Sequence, residues 1–232
     1  MLDSSATPCG GLIAFPLDVD DAERARLSAC LDGHERGRAA RFRMVEHANR
    51  FSVAHARLRL LLAQLLATAP QELTFAAGEH GKPALTGGHA AAGLEFNLSH
   101  SGGRGFVGWA WHRQIGVDIE VWRPMSDEAA LVRRYFSVAE IAEYELLPHS
   151  RRTQAFFDCW TRKEAYVKAV GRGLGLPLDS FDVSLGAASD ARLLRASAVA
   201  DDGRRWSLAA PQMEPGVCAA VVLEGEFSIA AA

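Results

Sequence analysis

Two short segments of this 232-residue chain carry acidic side chains at spacings that could hold a divalent cation. In 115–121, apolar residues alternate with Gly116, Asp118 and Glu120, which is the pattern of a strand with one apolar face. Asp118 and Glu120 therefore project from the same side and repel each other unless a positive charge lies between them. Gly116 on that side is expected to leave room for a ligand. The alternative is an exposed acidic face, which is common on half-buried strands.

The second segment is a helix predicted from about 153 to 170 and ended by a run of glycines. Lys163 falls inside its apolar arc, and Glu164 lies near the edge of that arc. A charge on a buried helix face is costly without a partner, so Lys163 is expected to support Glu164 or to pair with Asp118. Lys168 lies one turn beyond Glu164. A core helix with an internal Glu164–Lys168 pair is the alternative.

The two segments together supply three carboxylates, Asp118 and Glu120 from the strand and Glu164 from the helix. An all-oxygen set of ligands suits Mg²⁺, which keeps several waters and shares its coordination with substrate phosphates. The sequence therefore predicts a magnesium site that works on a phosphorylated substrate. A metal-dependent phosphohydrolase or nuclease would use the same carboxylates and remains an alternative.

The chain reads GVDIE at 116–120 and, about forty residues later, WTRKEAYVK at 160–168. This pair of motifs resembles the signature of 4′-phosphopantetheinyl transferases, and the chain length matches the larger, Sfp-like branch of that family. The resemblance implies an α+β fold of two similar halves, each a small antiparallel sheet packed with helices. It places the coenzyme A phosphate contacts in 1–112 and the metal and catalytic residues in 113–232.

The resemblance also assigns coenzyme A contacts to five residues, namely Arg38, Arg50, Lys82, Ser99 and His100. Arg50 is implied to bind the 3′-phosphate with support from Arg38, because a planar guanidinium can hold phosphate oxygens bidentately. Lys82 belongs to a Gly-Lys-Pro loop, and Ser99 and His100 belong to an Asn-Leu-Ser-His-Ser run. From composition alone, a solvated arginine face and a hairpin turn with an ordinary histidine are the alternatives.

The implied reaction moves 4′-phosphopantetheine from coenzyme A to a serine of an apo acyl or peptidyl carrier protein and releases 3′,5′-adenosine bisphosphate. Glu164 would accept the serine proton directly or through water, and Lys168 would stabilise or protonate the leaving phosphate. Local basic or apolar surface near Arg133, Arg134, Arg172 and the loop 171–177 is expected to dock the carrier. The sequence leaves open which carrier is served and whether acylated coenzyme A is accepted. A non-catalytic coenzyme A-binding module is the third class of protein that these residues allow.

The sequence departs from the family pattern at Glu35, where the family often has a further basic residue.

The elements that must position these side chains follow from pattern. A long helix is predicted over 37–66, and a strand over 94–98 delivers Ser99. A strand over 105–111 is expected to run antiparallel to 115–121. Ser137 and Glu140 form a capping box that opens a helix. Other predicted elements are a strand over 12–17, a helix capped by Asp20 or Asp21, and a tail of strands over 181–185, 193–200, 206–209 and 217–223 that completes a sheet.

Composition bounds the class of protein. With 49% hydrophobic residues and a formal net charge of −3, the chain can bury a core and gives no general nucleic-acid signal. The leucine-rich run at 58–66 is too short to span a bilayer, and the N-terminus lacks the features of a signal peptide. Four widely spaced cysteines indicate neither a zinc site nor disulfides. A cytoplasmic monomer with pseudo-twofold halves is expected.

Overall fold

The computed structural model describes residues 9–78, 80–186, 190–198, 203–226 and 230–231. The helices are α1 (Asp21–Ser28), α2 (Gly33–Ala39), α3 (Val45–Leu66), α4 (Glu128–Tyr135), α5 (Val138–Leu146) and α6 (His149–Val170). The strands are β1 (Gly10–Pro16), β2 (Phe75–Ala77), β3 (Pro83–Leu85), β4 (Leu94–Ser101), β5 (Arg104–Trp111), β6 (Ile115–Val121), β7 (Asp182–Val183), β8 (Leu193–Arg195), β9 (Trp206–Ala209), β10 (Val217–Glu224) and β11 (Ala230–Ala231). No helix within these ranges combines the length and the apolarity that a bilayer crossing requires.

Two small sheets form the centre of the α+β fold, with strand orders β11-β1-β5-β4 and β6-β10-β9. Their paired strands are antiparallel, apart from the parallel pair β1–β11. The predicted pairing of β5 with β6 is wrong, because β5 is hydrogen-bonded to β1 and β4 while β6 pairs with β10. The prediction that the tail completes a sheet is confirmed by β9 and β10. Residues 199–200 of that prediction lie outside the described residues.

The two halves stack in four layers. The long helix α3 covers one face of the first sheet, where it packs against Val107 and Trp109 of β5. The other face of that sheet meets the second sheet, and Phe106 and Ala110 of β5 pack there against Val117 of β6. Helix α6 covers the remaining face of the second sheet. Because side chains alternate along β5, its two faces contribute to two different hydrophobic cores, while β6 contributes its one apolar face to the core between the sheets.

The predicted helix over 37–66 is wrong in its first part, because the chain breaks between α2 and α3 and folds back. Arg59 of α3 is fully buried, and its Nε donates to Glu35 Oε2 at 2.6 Å while Nη2 contacts Asp32. Asp32 and Glu35 also form the capping box of α2. A continuous helix would carry both acids away from Arg59 and leave its charge unpaired. Burial would raise the pKa of Glu35, but hydrogen bonds with His55, the Asp32 backbone and Arg59 lower it.

Helix α6 begins about one turn earlier than predicted and ends as predicted at Gly171. Gly171 adopts φ 76° and its N–H donates to Val167 O at 2.9 Å, which is the usual glycine ending of a helix. Phe156, Phe157 and Tyr166 anchor the helix in the core of the second half. The helix therefore holds its polar residues at fixed positions along the second sheet.

The contact between α6 and β6 is unusually close at Gly116. A Cβ atom on Gly116 would lie 2.2 Å from both Ala165 O and Ala169 N. The expectation that Gly116 leaves room for a ligand is therefore wrong, because the backbone of α6 fills that space. The small residue lets the helix approach the strand, and this approach brings Lys168 against Asp118.

Candidate active site

Three of the predicted site residues meet at Asp118, whose side chain is buried with 4% exposure. Asp118 Oδ1 accepts from Ser99 Oγ at 2.7 Å and from Lys168 Nζ at 2.5 Å. Lys168 Nζ also donates to Ser99 Oγ at 3.1 Å. Asp118 Oδ2 is buried and has no hydrogen-bond partner within the described part of the chain. A buried carboxylate oxygen without a partner is costly, so this atom is the clearest open coordination position in the site.

The polar face of β4 joins the first half to β6. Asn97 Oδ1 accepts from Val117 N at 2.8 Å, and Ser101 Oγ accepts from Val121 N at 3.2 Å. Ser101 Oγ also donates to Glu120 Oε2 at 2.5 Å. Sequence reasoning missed Asn97 and Ser101 as site residues. The signal was present, because polar residues occupy every second position at that end of β4 and so share one face.

The remaining carboxylates lie within electrostatic reach of Asp118. Burial raises the pKa of Glu120, and the charge of Asp118 raises it further against the hydrogen bond from Ser101. Burial also raises the pKa of Glu164; Asp118 and Glu120 add to the effect and Lys168 opposes it. Asp118 and Glu120 of β6 and Glu164 of α6 therefore concentrate negative charge, and the positive charge of Lys168 does not fully offset it.

The oxygen atoms of Asp118, Glu120 and Glu164 are the ligands that the predicted Mg²⁺ would require. No three His, Cys, Asp or Glu side chains among residues described by the structure form a ready-made metal cluster, and the Lys168 ammonium lies against Asp118 instead. The unpartnered Asp118 Oδ2 and the nearby oxygens of Glu120 and Glu164 nevertheless match the hard oxygen ligands that Mg²⁺ prefers. On this chemistry the residues fit the ion.

A cavity of about 610 Å³ opens beside Glu164 and Lys168. Its walls come from the loop before β3, the edge strand β4, the end of α4, one side of α6 and the segment after α6. The lining residues are His80, Gly81, Lys82, Pro83, Asn97, Leu98, Arg134, Tyr135, Glu164, Val167, Lys168, Gly171, Gly173, Leu176, Pro177, Leu178 and Asp179. The volume lies within the range of small-molecule binding sites.

Lys82 lies in this cavity but its ammonium is already engaged. Nζ donates to Gln114 Oε1 at 3.0 Å and to Ile115 O at 2.9 Å, so the residue links the Gly-Lys-Pro loop to the start of β6. Desolvation lowers the pKa of Lys82 from 10.5 to about 8, with Glu95 opposing the change and Arg204 adding to it. The amine therefore changes charge close to neutral pH.

Arg50 is held by acidic partners that sequence reasoning missed. Its Nε and Nη2 donate to the two carboxylate oxygens of Asp18 at 2.7 and 2.8 Å, and Nη1 lies 2.6 Å from Glu46 Oε1. The hydrogen bonds from Arg50 lower the pKa of Asp18. A Cβ on Gly103 would lie 3.7 Å from Arg50 Nη2, so the guanidinium sits beside the β4–β5 turn.

Arg38 and His100 occupy the same side of the molecule. The exposed Arg38 places its Cζ 5.1 Å from the ring centre of Phe51, and the ring of His55 lies 4.1 Å from that of Phe51. Desolvation lowers the pKa of His100, and the charges of His55, Lys168 and Arg38 lower it further. His100, which lies in β4, is therefore within electrostatic reach of Arg38 in the first half and of Lys168 in the second.

Lys163 takes no part in this arrangement, and the expectation that it supports Glu164 or pairs with Asp118 is wrong. Its Nζ lies 2.8 Å from Glu140 Oε2 of α5 and donates to the carbonyls of Leu178 and Phe181. These three acceptors use all the protons of the ammonium. The partner of the buried Lys163 ammonium, Glu140, lies on the neighbouring helix α5, so residue spacing within α6 could not indicate it.

Fold and site define a two-half α+β enzyme with a carboxylate–lysine centre. Residues 114–221 match the family model described as the 4′-phosphopantetheinyl transferase superfamily, and residues 20–110 match that of the 4′-phosphopantetheinyl transferase N-terminal region. The 4′-phosphopantetheinyl transferase HetI of Nostoc sp. is 36% identical over 211 residues, covering 91% of this chain and 86% of that protein. The chain therefore belongs to the 4′-phosphopantetheinyl transferase family, as the motifs predicted.

Two further proteins show the range of the likeness. The 4′-phosphopantetheinyl transferase Sfp of Bacillus subtilis (strain 168) is 33% identical over 168 residues, which cover 72% of each chain. The solved holo-(acyl-carrier-protein) synthase of Bacillus anthracis str. Ames, in complex with CoA, is 22% identical with a TM-score of 0.39. That likeness covers 48% of this chain and 94% of the synthase chain.

Proposed function

We propose that this enzyme transfers 4′-phosphopantetheine from coenzyme A to a serine of an apo acyl or peptidyl carrier protein, with Mg²⁺, and releases 3′,5′-adenosine bisphosphate. The observation that carries the proposal is the hydrogen bonding of the Asp118 carboxylate. Its Oδ1 is fixed by Ser99 and Lys168, and its Oδ2 is buried without a partner among the described residues. Lys168, which donates to this carboxylate, lines with Glu164 a cavity of about 610 Å³, a volume within the range of small-molecule sites.

Asp118, Glu120 and Glu164 would hold Mg²⁺, whose charge would neutralise the pyrophosphate of coenzyme A. Lys168 lies one turn from Glu164 on α6 and would stabilise the phosphate that leaves. Glu164 would accept the proton of the carrier serine, directly or through water.

Coenzyme A would lie between an N-terminal half, 1–112, and a C-terminal half, 113–232. Arg38, Arg50 and His100 would contact its phosphates from the first half, together with Ser99 and Lys82. In support, the positive charges of Lys168 and Arg38 both act on His100. Asp18 and Glu46 fix the direction of the Arg50 guanidinium before any phosphate binds.

The carrier protein would dock where α4 meets α5, at the rim of the cavity. Arg133 and Arg134 are exposed at the end of α4, and Val138 at the start of α5 is 87% exposed. A partner with acidic side chains around an apolar contact matches this surface. We further propose that the enzyme acts as a monomer in the cytoplasm.

A mass measurement tests the proposal. The enzyme is incubated with coenzyme A, Mg²⁺ and apo carrier proteins from fatty acid, polyketide and non-ribosomal peptide synthesis. A carrier that gains one phosphopantetheine group supports transfer and identifies the pathway. Cleaved coenzyme A with unmodified carrier would show a hydrolase, and coenzyme A binding without turnover for any carrier would show a binding module. Omitting Mg²⁺, or replacing it with Mn²⁺, tests the metal.

A further inference from the structure

The most deeply buried charge pair of the second half lies outside the mechanism described above. Lys163 has 0% exposure and Glu140 has 2%, and Nζ lies 2.8 Å from Glu140 Oε2. Two charges removed from water cost free energy that their attraction repays only when the remaining donors and acceptors are also satisfied. The partners that satisfy this pair therefore indicate which parts of the structure it holds together.

Apart from Ser137 N of the α5 capping box, which donates to Glu140 Oε2 at 2.8 Å, those partners all belong to the segment 178–183. Lys163 Nζ donates to Leu178 O at 2.6 Å and to Phe181 O at 2.9 Å, and it lies 4.3 Å from the ring centre of Phe181. Glu140 Oε1 accepts from Val183 N at 2.8 Å. The pair thus fastens the backbone between Leu178 and Val183 to α5 and α6 at the same time.

The fastened segment is continuous with one wall of the cavity. Leu176, Pro177, Leu178 and Asp179 line the cavity on one side, and α6 lines it with Glu164 and Lys168. Lys163 precedes Glu164 in the same helix and holds the carbonyl of Leu178. Lys163 therefore ties this wall directly to the helix that carries Glu164.

We propose that Lys163, with Glu140, is a positioning residue that fixes the wall 176–179 against the pantetheine arm of coenzyme A. The inference rests on the proposed function, because it takes coenzyme A as the occupant of the cavity. The positioning role of Lys163 differs from a purely structural role in the part of coenzyme A that it affects. The wall would touch only the pantetheine arm, whereas the adenosine bisphosphate part would lie towards Arg38 and His100 in the other half.

The test compares the wild type with the double variant Lys163→Met/Glu140→Gln, which removes both charges and leaves neither unpaired. Calorimetry gives the Kd of coenzyme A and of 3′,5′-adenosine bisphosphate, which lacks the arm. We expect the double variant to bind coenzyme A about tenfold more weakly, since two ordering hydrogen bonds are lost, and the bisphosphate within twofold of wild type. The KM for coenzyme A should rise by the same factor in transfer assays.

Leu208→Ala is the matched control, because Leu208 is buried in the same core but does not line the cavity. Thermal unfolding confirms that each variant is folded, and the control should bind both ligands as wild type does. Unchanged coenzyme A affinity in the double variant would overturn the inference, and so would equal weakening of both ligands. If wild-type enzyme modifies no carrier, the proposed function fails by itself, and the two Kd values still decide the inference.

Discussion

The charge state of Lys82 offers the sharpest test of the site's electrostatics. Lys82 Nζ donates to Gln114 Oε1 and Ile115 O, and desolvation lowers its pKa from 10.5 to about 8. The folded chain therefore binds fewer protons than the unfolded chain between those two pH values. Stability should rise with pH across this window. The full difference corresponds to about 3 kcal/mol at most, and the part reached between pH 7 and pH 9.5 to about 2 kcal/mol.

The perturbation is Lys82→Met, which keeps the length of the side chain and removes its charge. Denaturant unfolding of both proteins at pH 7 and pH 9.5 isolates the lysine, because all other titrating groups cancel in the difference. The wild type should gain about 2 kcal/mol relative to the variant over this interval. The two hydrogen bonds lost in the variant add an offset at both pH values, since a neutral amine still donates them.

A direct titration gives an independent measurement. The chain contains only three lysines, Lys82, Lys163 and Lys168, so protein labelled with ¹³C at the lysine ε-carbon should give three signals. One signal should titrate near pH 8 and disappear in Lys82→Arg. A stability difference that is flat with pH, with no lysine signal titrating below pH 9, would refute the argument that the ammonium is desolvated. If coenzyme A phosphates approach Lys82, binding near pH 8.5 should also take up a proton, which calorimetry in buffers of different ionisation enthalpy detects.

Three further outcomes follow from packing and charge. Gly116→Ala should lower kcat/KM by roughly a hundredfold or more, because its Cβ would lie 2.2 Å from Ala165 O and force α6 away from β6; near-normal turnover would contradict this account. Arg59→Met should cost about 3–5 kcal/mol in denaturant unfolding, because the buried carboxylate of Glu35 loses its guanidinium partner. The same change at the exposed Arg26 should cost less than about 1 kcal/mol; equal losses would argue against a buried network. Asp118→Asn should keep the fold in circular dichroism yet lose roughly a hundredfold in Mg²⁺-dependent transfer, and a rate within threefold of wild type would remove Asp118 from the metal site.

Local sequence signals predicted the parts of the fold that depend on neighbours in the chain. Alternation placed Asp118 and Glu120 on one face of β6, and the contacts with Ser99 and Ser101 of β4 confirm that placement. The capping box at Ser137 was predicted correctly for the same reason, since both of its hydrogen bonds join residues three apart. In each case the stabilising contact lies within one element or repeats with its period.

The errors all involve contacts between residues far apart in sequence. Alternation along β5 predicted its faces but could not show that β1 and β4, rather than β6, are its neighbours. Gly116 suggested space, and only the position of α6 shows that a helix backbone fills it. The position of Lys163 in the apolar arc indicated that it needs a buried partner but did not identify Glu140. The break before α3 depends on the contact between Arg59 and Asp32, which are 27 residues apart. No periodicity encodes such pairings.

The position of the site at the junction of the two halves has a physical consequence. Towards β4, the backbone of β6 receives side-chain oxygens from Asn97 and Ser101, where a neighbouring strand would supply carbonyls. Between these two contacts Ser99 fixes Asp118 Oδ1. The geometry of the Asp118 carboxylate therefore depends on polar side chains of the other half. Neither half alone contains both Ser99 and the Asp118–Lys168 pair, so the same contacts that join the halves also assemble the site.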